Sequence, residues 1–460
     1  MQNNGKKNRF FLFALILGFS IIVILFFVSS NIIAESTELE TQKQIHIFLE
    51  AFEFVQNTYA DEDKLESKRL IEGALKGMLE SLEDPYSVYL SEADMLEMEE
   101  TTVGKFGGVG LYILDVEKGI EVARPIAGTP AFRSGINAGD IIIKVDDENV
   151  VDLDIDDVID RLKGEPGTDV KITVLRGKSR TLDFTVTRAM IEVPTVRYDM
   201  IDHEIAYLEI NQFTPLTYDQ VRDALDEFDS KQYKSLIIDV RSNPGGLLSS
   251  VVDIADLFFP FGKLIVYTQS RIESENEKYR ARSKQIVPET INIVVLIDKY
   301  SASASEILTG VLKDHERATI IGEKTYGKGS VQQIRPTGDG GGIKLTTSKY
   351  YTPSGNIIHE VGIEPDIEVK EEEWTDNERE ALNTLYESDK ITTFVESNLK
   401  ITDDKINKFI KDLANDGIIL QERYIRKLIR NAINRTNNNP PVFDLEYDIV
   451  LQKAVEFLSS

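Results

Sequence analysis

Ile291-Asn292-Ile293-Val294-Val295-Leu296-Ile297 opens the stretch on which the fold turns. A short, near-continuous apolar run rich in β-branched residues reads as a buried strand. Asp298-Lys299-Tyr300-Ser301-Ala302-Ser303-Ala304-Ser305-Glu306 follows, and Ile307, Leu308, Val311 and Leu312 come next at helical spacing. The unit is strand, tight turn, helix, with a serine cluster at the turn. A serine at a helix N-terminus is held firmly, beside amide N–H groups that lack intrahelical partners and can meet a developing oxyanion. Serine is also a favoured N-cap. The residues alone leave open which of Ser301, Ser303 and Ser305 caps and which reacts.

Working outward, Ala318-Thr319-Ile320-Ile321 reads as a second strand. Gly322-Glu323-Lys324-Thr325-Tyr326-Gly327-Lys328-Gly329 is a glycine-rich loop carrying two lysines, and Val331 to Ile334 resumes an extended pattern. A serine hydroxyl needs a base, and a lysine amine serves when burial lowers its pKa. Flanking glycines let such a lysine be drawn into a cleft. Upstream, Leu236-Ile237-Ile238-Asp239-Val240 reads as a buried strand and runs into Arg241-Ser242-Asn243-Pro244-Gly245-Gly246, whose glycines bare their N–H groups.

These segments resemble the carboxyl-terminal processing, or tail-specific, proteases. The resemblance rests on the Ser-Ala-Ser-Ala-Ser-Glu turn, the Gly-Lys-Gly loop with its glutamine, and the Asn-Pro-Gly-Gly turn. It implies that Ser303 is the nucleophile, Lys328 the general base and Gln332 the residue orienting the lysine. It also implies an oxyanion hole formed by the amide of Ala304 with that of Gly245 or Gly246, the latter preferred. The fold class it implies is α/β: a crotonase/Clp-like ββα protease core with an inserted PDZ domain. His359-Glu360-Val361-Gly362-Ile363-Glu364-Pro365-Asp366 matches the phrase that closes the family's core, and His359 is expected to make ordinary hydrogen bonds. Tyr350 and Tyr351 are candidates to line the cleft.

The PDZ resemblance is carried by Phe106-Gly107-Gly108-Val109-Gly110-Leu111, by the run Val122 to Phe132 and by Gly135-Ile136-Asn137-Ala138-Gly139-Asp140. In such a module a peptide adds as a strand to a sheet edge, and amides of a Gly-rich loop grip its terminal carboxylate. Gly107, Gly108, Val109, Gly110 and Leu111 are the peptide-binding residues this implies. In related proteases an arginine couples the module to the catalytic site. Here that position is Lys163, with Arg161 two residues earlier, and lysine lacks the planar fork of arginine.

Phe10 to Val28 is an uncharged apolar stretch preceded by Lys6, Lys7 and Arg9 and followed by Glu35, Glu38 and Glu40. It approaches the length a membrane span needs, and the charge bias puts the N-terminus in the cytoplasm. Ile32-Ile33-Ala34 is a poor signal-peptide cleavage site, which favours a retained anchor over a cleaved leader. The expected organisation is therefore an anchor at 1–34, a helical arm at 35–100, the PDZ domain at 101–189, the protease core at 190–370 and a helical region at 371–460. The amphipathic stripes of the arm suit packing or dimerisation, so a homodimer is expected. The location is the cell membrane, with the protease domain outside the cytoplasm.

Over 460 residues the formal charge is −26, which argues against nucleic-acid binding. The absence of cysteine excludes a thiol nucleophile, and the four histidines form no His-Glu-x-x-His pattern, so no metal or other cofactor is expected. The expected partners are proteins or peptides with free C-termini, and the membrane. Two rival readings remain at this stage. Gly322 to Lys328 fits most of a phosphate-binding loop, but Gly329 stands where Ser or Thr would hold Mg²⁺, and a strand follows in place of a helix. The alternative from another class is a non-catalytic PDZ scaffold of the cell envelope.

Overall fold

The computed structural model describes residues 39–116, 119–177, 179–370, 374–388, 390–398, 400–435 and 440–460. The expected membrane anchor at Phe10 to Val28 lies outside the described residues. Among the described residues no helix is long and apolar enough to cross a membrane. The chain forms two compact units, one ending at Tyr89 and the other running from Leu90 to Ser460. In the first, residues 39–58 form helix α1 and Ser67–Glu80 forms α2. Asp84-Pro85 ends the helical pattern, and Val88–Leu90 is a short strand, β1, where the arm was expected to stay helical. The alternation Val-Tyr-Leu suits a pleat better than a helical stripe.

The second unit begins with α3 (Glu92–Val103), closed at Gly104 with φ +70°, and β2 (Lys105–Gly108). The PDZ module follows as β3 (Leu111–Val116), β4 (Gly119–Pro125), α4 (Pro130–Ser134), β5 (Ile141–Val145), β6 (Glu148–Asn149), α5 (Ile155–Leu162), β7 (Asp169–Arg176) and β8 (Arg180–Thr187). Its sheet order is β3-β4-β5-β7-β8 with β6 on β5. Alternate residues such as Ile120, Val122, Ile142, Ile172 and Val174 fill one core. The chain leaves through β9 (Ala189–Glu192), which pairs antiparallel with β2, so entry and exit of the module are one ribbon.

The protease core runs β10 (Val196–Met200), β11 (Ile205–Ile210), α6 (Thr217–Ser230), β12 (Ser235–Asp239), α7 (Leu248–Asp256), β13 (Leu264–Ser270), β14 (Lys278–Arg280), β15 (Asn292–Ile297), α8 (Ala304–Asp314), β16 (Thr319–Gly322), β17 (Ser330–Pro336), β18 (Gly342–Tyr351) and β19 (Ile367–Glu368). One sheet has the order β10-β11-β12-β15-β16-β19, with every pairing parallel except β10 on β11. Parallel strands are covered on both faces, which explains why β15 reads as a continuous apolar run rather than an alternation. Ile293, Val295 and Ile297 face the cluster built with α6, α7 and α8, whereas Val294 and Leu296 face the opposite side. In the second sheet β18 pairs antiparallel with both β13 and β17.

The C-terminal helices are α9 (Asp376–Glu387), α10 (Lys390–Glu396), α11 (Asp403–Asn415), α12 (Glu422–Arg435) and α13 (Ile449–Ser459). The sequence left their role open. The first four gather around a core of their own that includes Leu385, Leu413, Ile425 and Ile429. α13 instead lays Val450, Leu451 and Ala454 on the second face of the parallel sheet. A buried ion cluster fastens it there: the Arg241 guanidinium bonds Asp239 Oδ2 and Asp448 Oδ2, each at 2.6 Å, and Tyr207 Oη donates to Asp239 Oδ2 at 2.7 Å.

Candidate active site

The turn after β15 is built by one carboxylate. Asp298 Oδ1 accepts from the N–H groups of Tyr300, Ser301 and Ser242, each at 2.9 Å, so it ties the serine turn to the loop after β12. The serines then separate by role. Ser301 Oγ donates to the carbonyl of Val240 at 2.8 Å, and Ser305 Oγ to that of Asn243 at 3.0 Å, and both residues are wholly buried. Ser303 differs. The residue retains 7 % of its surface. Its backbone sits at φ +56°, ψ −113°, a left-handed setting that costs a non-glycine residue about 1–3 kcal/mol and recurs at functional sites. Ser303 thus differs from Ser301 and Ser305 in backbone conformation and exposure, a difference the residue types alone did not show.

Glu306, one turn into α8, brings the lysine loop to this serine. Its wholly buried carboxylate accepts four hydrogen bonds. Oε1 takes Thr325 Oγ1 at 2.6 Å and Gly327 N–H at 2.7 Å. Oε2 takes the N–H groups of both Ser303 and Lys328, each at 2.8 Å. The main-chain nitrogens of Ser303 and Lys328 therefore lie no further apart than twice that distance. Gly327 adopts φ +91°, and a Cβ on Gly329 would sit 2.1 Å from His359 N, so the lysine is clamped between two glycines that bulkier residues could not replace. Burial lowers the Lys328 pKa, the nearby Lys344 ammonium lowers it further, and Glu306 opposes both. Gln332 lies on β17, where Nε2 donates to Ser330 Oγ at 2.9 Å and Thr346 Oγ1 at 3.2 Å.

The Asn-Pro-Gly-Gly loop lies against the same turn. A Cβ on Gly245 would come within 2.7 Å of Ser303 Cβ and 2.9 Å of Ala304 N. A Cβ on Gly246 would strike the Phe213 carbonyl at 2.1 Å. The N–H of Gly245 is already taken by Asn243 Oδ1 at 2.8 Å. This narrows the amides expected of the loop: Gly245 shapes the approach, and the N–H groups of Gly246 and Ala304 are the ones without a hydrogen-bond partner among the described residues.

In the PDZ module the residues expected to form the carboxylate loop are packed tightly. Gly107 and Gly108 pair with Met190 and Ala189 of β9, and Gly107 O accepts from Gly164 N–H at 3.1 Å. Val109 is 2 % exposed, Gly110 O accepts from Ile126 N–H at 3.0 Å, and Leu111 starts β3 opposite Pro125. Lys163 Nζ bonds Glu100 Oε2 of α3 at 2.6 Å and lies over the Phe106 ring. Arg161 pairs with Glu148 inside the module. The end of α5 is held by a residue the sequence reading passed over: Arg188, at the exit from β8, donates to the carbonyls of Arg161 at 2.8 Å and Leu162 at 3.2 Å.

Three family models match this chain: Peptidase family S41 over residues 204–369, a PDZ domain over 121–176, and the activating protease CtpB N-terminal domain over 28–94. A carboxy-terminal-processing protease of Bartonella bacilliformis is 38 % identical over 371 residues, covering 80 % of this chain and 83 % of that one. The chain belongs to the carboxy-terminal-processing proteases, serine peptidases of family S41. The carboxy-terminal processing protease CtpB of Bacillus subtilis is 34 % identical over 73 % of this chain and 70 % of its own. Among solved structures, a photosystem II D1 C-terminal processing protease is similar at 28 % identity and a TM-score of 0.43, covering 70 % of this chain and 92 % of that one.

In this S41 peptidase a cavity of about 1180 Å³ is lined by Arg124, Arg197, Arg241, Asp298, Arg430 and Asp448, and not by Ser303 or Lys328. Ser303 and Lys328 are brought together by the Glu306 bracket and not by this cavity. Glu306 carries no task in the sequence reading beyond ending the serine turn. The signal that finds it is the Ser-x-x-Glu spacing of Ser303 to Glu306, a capping-box pattern, whose acid here also reaches a loop more than twenty residues away.

A base must be neutral to take a proton, so with Lys328 as the base expected from the sequence, activity is expected to rise as pH climbs through the Lys328 pKa. Lys344 is one cause of the depression. Lys344→Gln removes a like charge, raises the Lys328 pKa and shifts the acid limb of kcat/KM to higher pH. A pH–rate profile at constant ionic strength checks this, and an unmoved or acid-shifted limb contradicts it.

Proposed function

We propose that this protease is a membrane-anchored endopeptidase that recognises substrate C-termini through its PDZ module and cleaves through an acyl-enzyme on Ser303. Neutral Lys328 takes the Ser303 proton, Gln332 orients the lysine, and the oxygen attacks the scissile carbonyl. The N–H groups of Gly246 and Ala304 receive the oxyanion beside Gly245. Lys328 returns the proton to the leaving amine, and water then releases the acyl group. The catalytic core is of the crotonase/Clp-like ββα type. Gly107 to Leu111 hold the terminal carboxylate of the substrate, and Lys163, with Arg161, relays its arrival. The anchor is the apolar stretch Phe10 to Val28, with the catalytic unit outside the cytoplasm and two copies of the chain associated.

The observation that carries this reading is the single oxygen, Glu306 Oε2, bonded to the N–H groups of both Ser303 and Lys328. The test is to incubate the full-length chain with a peptide ending in a free apolar residue, quench in acid and map adducts by mass spectrometry. An acyl group on Ser303, formed more slowly when the C-terminus is amidated, is expected. Cleavage without any adduct on Ser303 overturns the mechanism, and indifference to amidation overturns the PDZ-led recognition.

A further inference from the structure

Asp448 is the N-cap of α13, where its Oδ1 accepts from the Leu451 N–H at 2.9 Å. The same carboxylate grips the Arg241 guanidinium by two prongs: Nη1 donates to Oδ1 at 2.9 Å and Nη2 to Oδ2 at 2.6 Å. Arg241 Nε also donates to both oxygens of Asp239, each at 3.0 Å. Arg241 opens the turn that ends at Gly246. Ser242, the next residue, sits at φ +56°. A non-glycine residue keeps such a setting only where its surroundings hold it there. Asp298 holds it on one side, accepting from the Ser242 N–H at 2.9 Å and its hydroxyl at 3.1 Å. Asp298 Oδ1 also takes the N–H groups of Tyr300 and Ser301 in the serine turn, so a shift at Ser242 reaches both turns. Arg241 holds Ser242 on the other side, and Nη1 of its guanidinium is fixed by Asp448.

We propose that Asp448 is a positioning residue of the peptidase reaction: through Arg241 it holds the strained turn at Ser242, and with it the Gly246 and Ala304 amides, in the arrangement that receives the oxyanion. The proposal rests on the oxyanion reading of those two amides. Donors to a developing oxyanion act by being in place before the charge forms. Asp448 exchanges no proton and touches no substrate. Its work is to keep one guanidinium plane fixed from an element that is otherwise remote from the serine. Planarity is what lets one cation bridge two carboxylates, so lysine is no substitute at 241. The last helix is thereby part of the catalytic apparatus as well as a cover for the sheet.

The test uses the full-length chain, with peptide cleavage and the affinity of a peptide boronate, which forms a tetrahedral adduct on a reactive serine, as the measurements. Asp448→Asn keeps an oxygen for the helix cap, since asparagine caps as well as aspartate, but takes the charge and one acceptor from Arg241. It is expected to lower kcat by about 10- to 100-fold, short of the 10²- to 10³-fold cost of losing an oxyanion donor outright. Boronate affinity falls with kcat, and KM stays in place. Leu451→Ala removes a wholly buried side chain of α13 and leaves the ion pair. It is expected to lower the melting temperature and to keep kcat. Asp448 and Arg241 both line the cavity of about 1180 Å³. Formate can therefore reach the gap left by Asp448→Ala, and it is expected to restore kcat there where chloride of equal ionic strength does not. A wild-type kcat in Asp448→Asn, an equal loss in Leu451→Ala, or no rescue by formate overturns the proposal. No boronate adduct on Ser303 of the wild type, read by mass spectrometry, would overturn the serine and oxyanion reading instead.

Discussion

Lys328→Met is expected to lower peptide cleavage by about 10⁴-fold or more, the scale on which removal of a single member disables a concerted nucleophile–base unit. Methionine keeps an unbranched apolar stem of similar reach, so the half-buried channel that holds the lysine stays filled. The N–H of residue 328 still bonds Glu306 Oε2, because that contact is main-chain. The fold should therefore survive with little change in melting temperature. The residual rate should also lose its rise with pH, since in the proposed mechanism that rise is the deprotonation of the Lys328 ammonium. Steady-state cleavage from mildly acid to alkaline pH is the measurement. A variant that still rises with pH at a wild-type rate would show that some other group is the base.

Glu306→Gln is the second large effect. An amide has one oxygen and one NH₂, whereas the buried carboxylate uses both oxygens as acceptors for four donors. With the amide turned either way, main-chain N–H groups meet an NH₂. Each donor left unpaired costs about 1–3 kcal/mol. With the NH₂ at the Oε2 position the lysine loop and the serine turn lose their common oxygen, and with it at the Oε1 position the lysine loop loses its bond at Gly327; a misplacement of the reacting groups by an ångström costs about 10²-fold in rate. We expect kcat to fall by about 10²- to 10³-fold, with a clear loss of stability in denaturant titration. The pH profile separates this from simple unfolding. Glu306 raises the Lys328 pKa, so its neutralisation shifts the acid limb of the residual activity to lower pH. A limb that stays in place would deny Glu306 its charge effect on the lysine, and a wild-type rate would deny the bracket.

The two variants probe different kinds of information. Lys328 is legible from neighbours in the chain, because a lysine between glycines, followed by an extended run, is a local pattern. So are β11, α6, β12 and β15, whose boundaries fall within a few residues of where the apolar periodicity places them. Ser303 was only partly legible. Three serines at a helix mouth look alike in sequence, and they part company where Val240 and Asn243 claim the outer two. Gly245 stands in the sequence as the less favoured of two candidate amides beside Gly246, and its N–H bonds the side chain of Asn243, two residues earlier. α13 carried an apolar stripe with no address. Its partner face, made by Ile237, Val294 and Leu296, belongs to strands far upstream, and Arg241 reaches Asp448 across 207 positions.

Periodicity and turn chemistry act between near neighbours, and so the order of residues by itself determined the strand–turn–helix units, the PDZ module and the family. Where a buried donor or charge finds its partner depends on chain segments that meet only after packing. Tertiary structure alone decided that Glu306 would hold the main chains of Ser303 and Lys328 together. It also decided that the last helix would close the open face of the sheet. The physical reason is that a buried polar group must be satisfied by whatever the fold brings within about 3 Å, and linear spacing does not encode that distance.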